Sequence, residues 1–151
     1  MKAGGVVAAA SGGVALLAAL MPLATNGLLT ASVSHLGGIT IALYILPVPL
    51  IVAAALALHE TVGNPRWWYL AIGGSGLGLS LLSASAAVGH LEMFGSAFGG
   101  LSAELLGAAT GQAASAPGWA FGAYALVAAY AATIGAGLLP TRQRAPAASG
   151  I

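Results

Sequence analysis

Residues 4–24, 39–58, 67–89 and 119–139 form four runs without a single Lys, Arg, Asp or Glu. Each holds roughly the 20 residues that, at about 1.5 Å of rise per residue, cross a hydrocarbon core of about 30 Å as a helix. A backbone in lipid must satisfy its own hydrogen bonds, and the period-2 alternation of a barrel strand is missing, so helices are predicted. The rest of the composition agrees. Charged residues make up 5% of the chain and apolar ones 59%, against about 25% and about 45–50% in an average soluble domain. A soluble fold would have four basic and three acidic residues with which to solvate its exterior.

The remaining charges set an orientation. Lys2, Arg66, Arg142 and Arg144 lie before the first run, between the second and third, and after the fourth, whereas segments 25–38 and 90–118 hold Glu92 and Glu104 and no Lys or Arg. Positive residues beside spans are retained in the cytoplasm. Both termini and residues 59–66 are therefore predicted inside, and the other two segments outside. Trp67, Trp68, Tyr69 and Trp119 supply interfacial anchors at run starts. The expected architecture is an all-α integral protein of the cell membrane. Residues 1–139 form a four-transmembrane-helix bundle with both termini cytoplasmic, and residues 140–151, rich in Pro, Ala and Ser, form a flexible tail. Lys2 and "PLATNG" at 22–27 share features with a secretory signal. The first run exceeds the about 7–15 apolar residues of such a signal and lacks an A-x-A site, so it is read as a retained span.

Small residues recur at helical spacing in three runs. The stretch "GGSGLGLSLLSASAA" at 73–87 places Gly74 four residues before Gly78, and Gly76, Ser80 and Ala84 in a row of the same interval. Ser75, Leu79, Ser83 and Ala87 form a neighbouring row. The first run repeats the device with Gly4, Ala8, Gly12 and Gly5, Ala9, Gly13, and the fourth with Gly118 and Gly122, then Ala131 and Gly135. Such rows let a second backbone approach closely, which is how helices associate where lipid tails are as apolar as leucine. The same stretch is no phosphate loop: neither GxxxxGK[ST] nor GxGxxG is present. In the second run Pro47 and Pro49 predict a mid-membrane kink. It frees carbonyls near 43–45 for Thr40, Tyr44, a neighbouring helix or water to satisfy.

No charge lies in the central thirds of the runs, which argues against an ion-coupled pump. Titratable side chains sit at the rims: His35 and the pair His90 and Glu92 outside, His59 and Glu60 inside. His90 with Glu92 forms a candidate outer polar site, and His35 with His90 a weak candidate pair of haem or metal ligands. No cofactor is otherwise expected. "HETVGNPR" at 59–66 has Gly63 where HExxH needs a second His; Gly63, Asn64 and Pro65 read as the turn ending the second helix. No GxSxG elbow assembles, so an enzyme is not expected. The absence of cysteine removes disulfides and thiolate metal sites, and a net charge of +1 gives no footprint for nucleic acid. Residues 91–112 place Phe94, Phe98, Leu101 and Leu105 at offsets of four, three and four. This predicts a short amphipathic outer helix, broken in two at Gly99 and Gly100.

Four spans and a short-then-long order of outer loops resemble tetraspanin-like proteins, but no outer-loop cysteine is present to match them or claudin-like proteins. The first span also lacks the acidic residue of small multidrug exporters, so no family is assigned. The reading that remains is a non-catalytic membrane subunit or scaffold, of prokaryotic character by its Ala and Gly content, surrounded by lipid and packed against other transmembrane proteins or its own copies. The alternatives are a small-solute or proton transporter or channel, hinged at Pro47 and Pro49, and a haem- or quinone-binding electron-transfer subunit. A reporter fused to either terminus is expected to register the cytoplasmic face, and one inserted between residues 25 and 38 the opposite face.

Overall fold

A computed structural model of the chain describes residues 3–60, 65–110 and 117–140, with side chains of the third long helix described as far as Phe94. The expected tail falls, after Pro140, outside the described residues. α1 (Ala3–Ala19) leads into a hairpin, β1 (Ala24–Thr25) and β2 (Thr30–Ala31), and a single helical turn, α2 (Val33–Leu36). A 3-10 turn over Gly38–Ile41 opens the next helix, which continues as α3 (Ala42–Ile45) and α4 (Pro47–Leu58). α5 (Arg66–Thr110), β3 (Gly118–Trp119) and α6 (Phe121–Leu138) complete the chain. Among the described residues three stretches are long and apolar enough to cross a membrane, Gly38–Leu58, Arg66–Phe94 and Phe121–Leu138. α1 is a shorter apolar helix of 17 residues.

The first helix stops five residues short of the sequence expectation for a physical reason. Leu20 and Met21 donate to carbonyls only three residues back, Leu17 O at 3.1 Å and Ala18 O at 3.0 Å. This tightens the last turn, and Pro22 then has no N–H to continue it. Leu23 donates instead to Ala31 O at 2.7 Å, which hands the backbone to the hairpin. Asn26 holds the turn: its Oδ1 accepts from the N–H groups of Leu28 (3.1 Å) and Leu29 (2.7 Å), and Gly27 takes φ 87. A second correction concerns the outer helix. No break occurs at Gly89 or at Gly99 and Gly100: α5 runs through them as one helix of 45 residues, about 67 Å long and more than twice the hydrocarbon thickness. A glycine costs a helix only about 1 kcal/mol, and no proline interrupts this stretch. The second helix ends at Leu58, and the left-handed residue that follows is Glu60 (φ 58). Gly63, expected in that role, lies outside the described residues.

Helix α1 lies between α4 and α6, and α6 between α1 and α5. Glycine contacts fix the directions. A Cβ at Gly5 would lie 3.2 Å from Leu58 and one at Gly12 2.8 Å from Ile51, so α1 and α4 are antiparallel. Gly4 meets Ala136 O (3.3 Å) and Gly122 meets Ala18 O (3.1 Å), so α1 and α6 are antiparallel as well. Gly73 against Ile134 and Gly137 against Leu70 set α5 and α6 the same way. The start of α1, the end of α4, the start of α5 and the end of α6 therefore meet at one end of the molecule. The other end carries a three-stranded sheet of order β2-β1-β3, antiparallel throughout, with Ala24 paired to Ala31 on one side and Trp119 on the other.

The second helix is divided at Leu46, between Ile45 and Pro47, yet Leu46 stays helical at φ −54 and ψ −36 and its N–H donates to Ala42 O at 2.8 Å, so the backbone does not unwind there. Thr40 does not serve the freed carbonyls; its hydroxyl donates to Gly37 O.

Substituting Gly76 with Ala forces a methyl into the Tyr130 ring and is expected to cost about 1–3 kcal/mol in detergent unfolding. The same change at Gly78, which has no neighbour within 4 Å among the described residues, is expected to be neutral or to stabilise by up to about 1 kcal/mol through helix propensity.

Candidate functional site

The inward face of α5 is a repeating ladder of Tyr69, Ile72, Gly73, Gly76, Ser80, Ser83, Ala84, Ala87 and Leu91, all buried. Spacings of three and four residues place these on one stripe. Of the rows expected from sequence, Gly76, Ser80 and Ala84 lie on this stripe and Gly74 and Gly78 do not: both are exposed, with nothing among the described residues within 4 Å of a Cβ placed there. The difference is set by α6. Tyr130 seats its ring on Gly76, where no side chain competes for the space, and Ile134 fills the surface over Gly73. On α6 itself Gly122 packs inward, 2.5 Å from Pro22 O measured from a Cβ position, whereas Gly118 is a strand residue opposite Thr25 and belongs to no helical row. Gly135 is exposed, with nothing among the described residues within 4 Å of a Cβ placed there.

Within this interior lie hydroxyls that the sequence pattern of titratable residues does not reveal. Ser11 of α1 and Thr133 of α6 stand 2.8 Å apart, both buried. Ser11 Oγ also reaches Ala8 O (3.0 Å) and Thr133 Oγ1 reaches Ala129 O (3.0 Å). Two protons serve three contacts, so one hydroxyl donates across the interface while the other closes on its own helix. In a membrane such a bond contributes about 0.6 kcal/mol. Ser80 Oγ donates to Gly76 O at 2.6 Å. Tyr69, Ser83 and Tyr130 are also buried, and their hydroxyls have no hydrogen-bond partner among the described residues. The sequence signal was modest: a Ser or Tyr on an apolar stripe, recognisable only once the inward face is known.

The rim groups are disposed differently. His35 is exposed on α2, and its Nδ1 accepts from the Ser32 N–H at 3.2 Å and sits 2.8 Å from Ser32 Oγ. A ring nitrogen that accepts an N–H is unprotonated, so this histidine caps its own helical turn with Nδ1 and retains only Nε2 for any other contact. His90 and Glu92 are exposed. Because α5 runs unbroken through both, their two-residue separation turns the side chains to diverging directions, and the helix does not bring them together as a paired site. His59 caps the end of α4 and Glu60 follows it, both exposed at the opposite end. Among the described residues no group of three or more His, Cys, Asp or Glu side chains gathers.

Compared with known proteins, the chain matches no family model, no curated protein and no solved structure. Replacing His35 with Ala is expected to lower stability by about 0.5–1 kcal/mol, the worth of a helix cap. His90→Ala and Glu92→Ala are expected to stay within about 0.5 kcal/mol of the parent; thermal or denaturant unfolding in detergent measures all three.

Proposed function

We propose that the chain is a non-catalytic subunit or scaffold of a larger assembly in the cell membrane, crossing it four times with both termini on the cytoplasmic side. The observation that carries this reading is the row of Gly74 and Gly78, which the described residues leave open on the outward side of α5. Ser75 beside it spends its hydroxyl on Ala71 O at 2.7 Å, so the face is small, apolar and internally satisfied, a surface on which a second helix packs closely. A further face supports the same reading. Only 22% of the Gly38–Leu58 window is buried, against 39% and 44% for the other two, so this helix keeps most of its surface for lipid or for a partner. The four-span topology is supported by the antiparallel order of the helices, the orientation by Arg66 at the start of α5 and Glu92 farther along the same helix.

Extraction of native membranes in mild detergent tests the reading. The chain is expected to travel in stoichiometric company with another membrane protein, or with its own copies, and Gly78→Leu is expected to release it at unchanged stability. A solitary chain that carries solute across liposome membranes, or a preparation with a haem absorbance band lost on His35→Ala, would replace this reading with transport or electron transfer.

A further inference from the structure

The interface of α5 and α6 contains two hydroxyls that the chain itself leaves unsatisfied. Tyr130 and Ser83 are both fully buried, at 0% exposure, and neither hydroxyl has a partner among the described residues. An unpaired hydroxyl is strongly disfavoured in an apolar interior. The neighbouring hydroxyls show how readily one is satisfied here: Ser80 and Ser75 each donate to the carbonyl four residues back. The equivalent acceptor for Ser83 is Leu79 O, and its hydroxyl is not on it.

The antiparallel register brings the two groups toward one place. Gly137 lies against Leu70, Gly73 against Ile134 and Gly76 against Tyr130. Continued along α5, this register sets Ser80 level with Leu126 and Ser83 level with Ala123, another fully buried residue. Helical side chains lean toward the N-terminus of their own helix. For α6 that is the end with the sheet, the direction in which α5 proceeds from Gly76 through Ser80 to Ser83. Residues 76 and 83 are about two turns apart, about 10 Å along the axis, and the tyrosine spans part of that distance. The remainder suits one or two oxygen atoms at hydrogen-bond spacings of about 2.8 Å. Tyr69, the third unpartnered hydroxyl, leans by the same rule toward the opposite end and belongs to a different place.

We infer that Tyr130 and Ser83 together bind a small uncharged oxygen acceptor inside the α5–α6 interface, either water or the hydroxyl or carbonyl of a small organic molecule. Both groups have a proton to give, so the occupant must accept. No Lys, Arg, Asp or Glu occurs in 67–89 or 119–139, so it is neutral. Ser80, whose proton is used on Gly76 O, retains lone pairs that accept in turn from an occupant with a proton of its own, water or a hydroxyl. The inference is independent of whether the outward face of α5 holds a partner.

Thermal unfolding of the full chain in detergent, with Tyr130→Phe, Ser83→Ala and the double variant, tests it. If the hydroxyls hold a common occupant, each single change lowers the Tm by about 2–4 °C, and the double change lowers it by less than the sum because both remove the same ligand. If they are dry, each change deletes an unsatisfied group and the Tm is unchanged or rises, which overturns the inference. Losses that add in full would overturn the shared site. Native mass spectrometry distinguishes the sources. An organic mass present in the parent and missing from both variants assigns a small molecule; the bare chain mass beside the lowered Tm values assigns water.

Discussion

Close approach of backbones is the interaction on which this structure depends. Lipid-facing helices gain little by hiding apolar surface from a solvent that is itself apolar, so their cohesion rests on dispersion contacts and occasional hydrogen bonds. Each principal helix pair has a place where only hydrogen fits on Cα. Gly12 admits Ile51 of α4, Gly122 admits the Pro22 carbonyl at the end of α1, and Gly76 admits the Tyr130 ring of α6. The large side chains that line the outside, among them Leu17, Val52, Leu82 and Tyr124, are exposed, as expected where the surroundings are hydrocarbon.

The sheet at the far end performs a different task. Helices held by shallow contacts can slide, and strand pairing ties their ends. β1 follows α1 and β3 precedes α6, so the pairing of Ala24 with Trp119 joins the ends of the central pair of helices across a wide separation in sequence. Ala120 N–H to Leu23 O at 2.8 Å and Gly122 N–H to Pro22 O at 3.2 Å reinforce the same junction. Polar backbone that lipid would not tolerate is thereby satisfied within the chain, at the end where the apolar runs stop.

The helical character and apolar spans were legible because exclusion of charge over about 20 residues has few physical explanations. The hairpin was written in the sequence as Asn26–Gly27, a strong short-range turn signal, and was missed because strands of two residues have no periodicity to read. The continuity of α5 through Gly99 and Gly100 was missed because glycine pairs were given more breaking power than they have. Choice of packing row is a harder matter. Gly74/Gly78 and Gly76/Ser80/Ala84 are equally small and similarly spaced, and the discriminating fact, the seat of Tyr130, is a property of a helix more than fifty residues away. The unsatisfied hydroxyls of Ser83 and Tyr130 were invisible for the same reason.

A chain without cysteine offers a direct test of the central claim, that helices α1 and α6 meet face to face inside a membrane. Ser11 Oγ and Thr133 Oγ1 are 2.8 Å apart, close enough that cysteines at both positions place two sulfurs within reach of a bond of about 2.05 Å. The double variant, oxidised in isolated native membranes, is predicted to form an intramolecular disulfide that shifts its mobility and is reversed by reductant. Recovery of the protein in the aqueous fraction, or sulfurs that stay free under oxidant in the membrane fraction, would contradict the account.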